Sequence, residues 1–113
     1  MRTDAEILEA VADGYESGRY GWIQGRYEAP EGFCSVGAIF YEYRLGRPAS
    51  NQEEFEEAQE AVSRAVDHVH DVIRKENYYP CIPDWNDQYD RTKDEVIDMF
   101  KHAAKNARNQ ETP

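Results

Sequence analysis

The stretch Asp84-Trp85-Asn86-Asp87-Gln88-Tyr89-Asp90-Arg91-Thr92, with Glu95 beyond it, has the most suggestive spacing of side-chain oxygens in the chain. Counted from Asp84 as position one, Asn86, Gln88, Asp90 and Glu95 stand at positions three, five, seven and twelve, the oxygen spacing of a helix–loop–helix calcium site. Such a loop needs glycine at position six for its sharp turn, and Tyr89 stands there. Glu95 also has a competing role as partner of Thr92 in a capping box. The pattern therefore reads first as an aromatic-anchored loop entering a capped helix. Trp85 points inward, and Asn86 and Asp87 bond the loop backbone.

Asp67-His68-Val69-His70-Asp71 offers a second metal-like cluster, but residues two apart on a helix point about 200° away from each other. His68 and His70 cannot converge on one ion from a regular helix, so this segment reads as solvated surface. Cys34 stands at an expected helix start, where the helix dipole can lower a thiol pKa. A cysteine nucleophile also needs a base. His68, His70 and His102 are the available histidines, and nothing in the sequence pairs one with Cys34. A buried cysteine behaving as a small apolar residue is the commoner case. No phosphate-binding glycine loop, zinc-type cysteine cluster, Ser-His-Asp pattern or dinucleotide fingerprint is present. No catalytic residue, metal ligand or cofactor is assigned.

Glu53, Glu56, Glu57 and Glu60 form the most pronounced charge pattern, falling on one face of a long helix. With Glu54 they exceed what the helix dipole alone would favour in a first turn. They read as a solvated face, or as a docking stripe for a basic protein or for the basic side of an oligomer mate. Lys101, Lys105 and Arg108 form an opposite, basic stripe on the last helix, which makes head-to-tail homo-oligomers conceivable. There are eight tyrosines. Tyr41, Tyr43, Tyr78, Tyr79 and Tyr89 cannot all be buried, and exposed tyrosine beside acidic residues suits a protein contact.

These residues sit in a chain of 113 residues with a formal net charge of -10 and 40% apolar content. The length is that of one domain. The acidity argues against direct binding to nucleic acid or anionic lipid. No apolar run approaches the ~20 residues of a membrane span, and the N-terminus lacks the apolar stretch of a signal peptide. A cytoplasmic location with free cysteines, Cys34 and Cys81, is expected.

Periodicity supplies the elements. Thr3 with Glu6 reads as a capping box opening a first helix along Ile7, Leu8, Val11, Ala12 and Tyr15, stopped by Gly18. Residues 19–33 mix aromatics with glycines and suggest a short hairpin or ordered loop with Trp22 turned inward. A short second helix runs through Val36, Ala38 and Ile39, capped by Cys34 or Ser35, with Gly37 and Ala38 small enough for a close neighbour. Ser50 with Glu53 opens the third and longest helix, expected at the centre of the fold. Residues 77–91 read as a loop with Pro80 and Pro83. Thr92 with Glu95 opens a fourth helix along Val96, Ile97, Phe100, Ala103, Ala104 and Ala107. The fold class is thus mainly α: a compact bundle of about four helices with a short β-hairpin or ordered loop between the first two. One domain covers 1–108, and a frayed tail covers 109–113.

Two stretches, Cys34-Ser35-Val36-Gly37-Ala38-Ile39 and Ile82-Pro83-Asp84-Trp85-Asn86-Asp87, occur with Arg91-Thr92, Glu95-Val96, Ile7-Leu8 and Gln24-Gly25. Together they resemble a family of small actinobacterial and actinophage proteins known only as a domain of unknown function. The chain departs from that pattern at Gln88-Tyr89-Asp90, where members carry a Pro-Gly turn before the Arg-Thr pair. The resemblance implies a helical fold and an actinophage source, and brings no activity with it. The reading that follows is a non-enzymatic acidic protein-interaction module, acting on a host protein if phage-encoded. Glu53, Glu56, Glu57, Glu60 and Tyr89 make the contact, and Trp22, Cys34, Trp85, Asn86, Asp87, Thr92 and Glu95 form the structural motif. The alternative is a small-ligand, metal-binding or hydrolytic domain using Cys34 or the Asp84–Asp90 loop, which predicts a pocket where these segments meet.

Overall fold

The computed structural model describes residues 2–46, 52–77 and 81–111. The expected Ser50–Glu53 capping box, and Tyr78 and Tyr79, lie outside the described residues. Among the described residues five helices and three very short strands follow in the order α1 (Asp4–Ser17), β1 (Gly21–Trp22), β2 (Glu28–Ala29), β3 (Gly32–Phe33), α2 (Ser35–Gly46), α3 (Gln52–Asn77), α4 (Ile82–Asn86) and α5 (Lys93–Glu111). The mainly helical class is as the periodicity indicated. Among the described residues no helix is long and apolar enough to cross a membrane.

The caps explain where two of the helices begin. The Glu6 amide donates to Thr3 Oγ1 at 3.2 Å and the Thr3 amide donates to Glu6 Oε1 at 2.9 Å. Each bond satisfies an amide that the helix itself leaves unpaired. Thr92 and Glu95 repeat this at α5, at 3.2 and 2.9 Å. Gly18 ends α1 in the left-handed region (φ 81°), its amide donating to the Tyr15 carbonyl, a conformation that suits glycine.

α1 buries Ala5, Ile7, Leu8, Val11, Ala12 and Tyr15 and makes its most extensive contact with α5, which buries Val96, Ile97, Phe100, Ala103, Ala104 and Ala107. Alanines on both helices allow close approach. α3 contacts each of the other four helices, in keeping with its length. Its inner face buries Ala61, Val62, Ala65, Val69, Val72 and Ile73 in the same apolar cluster. Fully burying a Val, Leu or Ile side chain contributes roughly 1.5–3 kcal/mol, so this cluster is the main stabilising term.

The segment between α1 and α2 is more than a hairpin. β2 pairs antiparallel with β3, and β1 pairs parallel with β3 on its other side, giving the order β1-β3-β2. Residues 77–91 also differ from the expected plain loop. Ile82–Asn86 makes one helical turn, with Pro83 in its first turn, where a missing amide costs nothing. α5 continues to Glu111, so helix extends past 108 into the stretch expected to fray.

Candidate functional site

The two motif stretches, far apart in sequence, meet at the carboxamide of Asn86, which is fully buried. Asn86 Oδ1 accepts from the Trp22 indole at 2.7 Å, the Ser35 amide at 3.0 Å and the Ser35 hydroxyl at 2.7 Å. Its Nδ2 donates to the Ile23 carbonyl at 3.0 Å and to Asp87 Oδ1 at 2.9 Å. A buried amide pays for desolvation unless its donors and acceptors are matched, and this one uses both ends. Asn86 thereby joins β1, the segment after it, the start of α2 and the end of α4.

Neighbouring bonds tighten the same junction. Asp87 Oδ1 also accepts from the Gly25 amide at 3.0 Å, and Gln24 Nε2 donates to the Asn86 and Gln88 carbonyls at 2.9 and 2.7 Å. The backbone bonded by Asn86 and Asp87 thus belongs chiefly to residues 23–25 and to Ser35, and not to their own loop as the sequence suggested. Trp85 is buried, and its carbonyl accepts from Arg91 Nε at 2.9 Å while the Arg91 guanidinium lies 3.9 Å from its ring centroid. Arg91 also pairs with Glu95, so the turn between α4 and α5 is held on three sides. Trp22 is half-buried against the core, as its expected inward orientation required.

Cys34, of the two proposed caps, opens α2. Its sulfur accepts from the Gly37 amide at 3.5 Å and its carbonyl accepts from Ala38 at 2.9 Å. Ser35 turns instead to Asn86. Gly37 is required at its position because a Cβ there would come within 1.9 Å of the Tyr27 carbonyl oxygen, which itself accepts from the Cys34 amide at 3.1 Å. The close neighbour expected at Gly37 is therefore the backbone just before β2.

Beside this junction is a cavity of 260 Å³ lined by Gly25, Arg26, Tyr27, Cys34, Pro83 and Asp87. Burial pushes the Cys34 thiol above its ordinary pKa, and the charge of Asp87 pushes the same way against the Gly37 amide bond. A protonated thiol is a poor nucleophile. No bond joins Cys34 to a histidine among the described residues. His68 approaches Asp4 instead, at 3.7 Å.

The calcium-like spacing does not become a calcium-like cage. Asn86 Oδ1 faces Ser35 and Trp22, and Glu95 Oε1 is held by Thr92. Among the described residues no group of three or more histidines, cysteines, aspartates or glutamates is placed to hold a metal ion.

Glu53, Glu56, Glu57 and Glu60 are all exposed on α3, opposite its buried face, and Tyr89 is 93% exposed in the connection from α4 to α5. The structure leaves the glutamates and Tyr89 on separate elements. Of the other tyrosines considered for a surface role, Tyr43 is buried and Tyr41 half-buried. Lys101 pairs with Glu16 at 2.7 Å and Arg108 with Glu9, so the basic stripe of α5 is partly neutralised by α1.

One buried charge had no sequence signal. Glu42 on α2 is fully buried; it accepts from the Tyr20 hydroxyl at 2.7 Å and pairs with Arg2 at 3.0 Å and Arg19 at 3.3 Å. Tyr20 in turn packs edge-on against Tyr15, Phe33 and Tyr41. Burial and the Glu42 carboxylate both push the Tyr20 hydroxyl far above its ordinary range, so it stays a donor.

No curated protein and no solved structure matches the chain. A family model does match, over residues 1–106, a span that contains both stretches joined at Asn86 together with Thr92 and Glu95; the chain belongs to the family of unknown function DUF6197.

Proposed function

We propose that this protein is a non-enzymatic acidic interaction module that presents the outer face of α3 to a basic protein. The carrying observation is the exposure of Glu53, Glu56, Glu57 and Glu60 on one face of a helix whose other face is locked in the core. Several of the described cations are engaged elsewhere: Arg2 and Arg19 with Glu42, Arg44 with Glu28, Arg64 with Asp4, Lys101 with Glu16 and Arg108 with Glu9. Their pairing also removes much of the complement that self-association would need, which favours a different protein over a second copy. Tyr89 offers an additional contact. Cys34 and Cys81 are free thiols, which suits a cytoplasmic setting. The actinophage source, and with it a host protein as the partner, rests on the sequence resemblance.

The test replaces Glu53, Glu56, Glu57 and Glu60 by lysine and compares capture of proteins from an actinobacterial lysate, identified by mass spectrometry, with circular dichroism as the fold control. The folded variant is expected to lose a basic protein that the parent retains, and the parent's capture should weaken with salt. Equal capture by a folded variant would falsify this reading.

A second reading is favoured by one observation. The cavity at Cys34 and Asp87 lies where the two motif stretches meet, which suits a small-ligand site.

A further inference from the structure

The cavity beside Asn86 is lined by one fixed anion and one cation that do not pair with each other. Asp87 Oδ1 is held by the Gly25 amide at 3.0 Å and by Asn86 Nδ2 at 2.9 Å. The carboxylate is therefore set in one orientation, while its other oxygen has no hydrogen bond among the described residues. Arg26 lines the same cavity and has no hydrogen bond or ion pair among the described residues. Arg2, Arg19, Arg44 and Arg64 each face an acid. Tyr27 and Pro83 add apolar wall, and Cys34 adds a small neutral thiol.

We propose that this cavity binds a small zwitterion of the α-amino-acid class, its ammonium at Asp87 and its carboxylate at Arg26. The proposal rests on the second reading above and names its ligand. A volume of 260 Å³ lies just below the usual range of ligand pockets, which favours an occupant smaller than a nucleotide. A lone anion would be opposed by the chain's net charge of -10 and by Asp87. A lone cation would satisfy Asp87 but face Arg26. A molecule with both charges satisfies both, and preorganisation of Asp87 lowers the ordering cost of binding.

Cys34 provides a reporter in a Cys81→Ser background, since a serine at that position is also a favourable helix cap. The measurement follows iodoacetamide alkylation of Cys34, in which the thiolate displaces iodide, together with amide NMR shifts of Gly25, Arg26 and Asp87. The probes are free L-amino acids, ethylamine and propionate. At least one amino acid is expected to slow alkylation and shift those amides in a saturable way. Arg26→Gln and Asp87→Asn should each weaken that binding roughly threefold to fivefold, the range of a partly exposed ion pair. Asp87→Asn retains the Oδ1 acceptor, and Arg26 is exposed, so both variants should fold. Ethylamine or propionate binding as tightly as any amino acid would overturn the zwitterion while leaving a small-ligand cavity. An absence of any saturable effect from all probes would overturn both.

Discussion

Truncating Asn86 to alanine tests the junction directly. The substitution removes the five hydrogen bonds of the carboxamide. The lost partners are not equivalent. Trp22, Ile23 and Asp87 are at least partly open to solvent, so water can replace the amide there at small net cost. The amide and hydroxyl of Ser35 belong to a residue with 0% exposure. Each donor left unsatisfied in such a place costs about 1–3 kcal/mol. The serine hydroxyl can rotate toward another acceptor, whereas the amide cannot. With loss of the ties between β1, α2 and α4 included, the expected cost is about 3–5 kcal/mol, against a total stability of roughly 5–15 kcal/mol for a domain. Urea unfolding followed by tryptophan fluorescence measures this, with an unchanged denaturant slope showing that the same two states are compared. Ser35→Ala should cost only about 1 kcal/mol, because Asn86 Oδ1 retains two donors. The double variant should then cost less than the sum of the two singles. An Asn86→Ala loss under about 1 kcal/mol, or strict additivity with Ser35→Ala, would show that the carboxamide is not the joint.

Three further outcomes follow from the same geometry. Glu42→Gln should destabilise by about 1–3 kcal/mol in thermal or urea unfolding, because the charged acceptor is lost to Tyr20 while Arg2 and Arg19, both partly exposed, can return to water. Glu6 and Glu95 are held below the ordinary carboxylate value of 4.5, first by the backbone amides of Thr3 and Thr92. A depressed folded pKa gives stability that is present above the unfolded value and lost as pH falls through the folded one. A Glu6→Gln, Glu95→Gln variant should therefore show a flatter fall in melting temperature below about pH 4.5 than the parent, and parallel curves would contradict the two caps. Cys34 should react with a thiol reagent near neutral pH far more slowly in the folded chain than in urea, because burial keeps it protonated; equal rates would mean that the sulfur is neither buried nor capping α2.

The longer helices were legible because each rests on local information. Thr3 with Glu6 and Thr92 with Glu95 are pairs three residues apart, and the apolar stripes of α1, α3 and α5 repeat at helical pitch. The small size of Gly37 also pointed correctly to a close neighbour. The turn of helix at Ile82–Asn86 was not legible, since five residues are too few for a period and Pro83 reads as a breaker unless its place in the first turn is known. β1's parallel pairing with β3 was hidden for a related reason. Each strand has two residues, too few to show an alternation. Asn86 and Asp87 were identifiable as polar residues needing partners, but a side chain does not announce which distant amide it will meet. Glu42, between two tyrosines on α2, gave no sign of burial, because its burial depends on Arg2 and Arg19 arriving from outside the helix.

The distribution of charge narrows what the acidity can mean. A net charge of -10 spread evenly would serve solubility alone. Here the pairing is uneven. The α1–α5 side holds acids and bases in register, with Glu16 against Lys101 and Glu9 against Arg108, so that surface is locally balanced at close range. Glu42 is internally compensated by two arginines. The exposed glutamates at the start of α3 are different: among the described residues no ion pair reaches Glu53, Glu56 or Glu60. At physiological salt, fields decay over about 8 Å, so distant arginines cannot cancel this stripe for an approaching molecule. A basic partner would therefore meet Glu53, Glu56 and Glu60 exposed and with no described ion pair to displace. Electrostatic attraction of that kind governs rate and salt dependence more than final affinity. Association that is fast at low salt and slows on the Glu53, Glu56, Glu57 and Glu60 reversal is accordingly the kinetic signature to seek, and an association rate indifferent to both salt and reversal would assign the acidity to solubility.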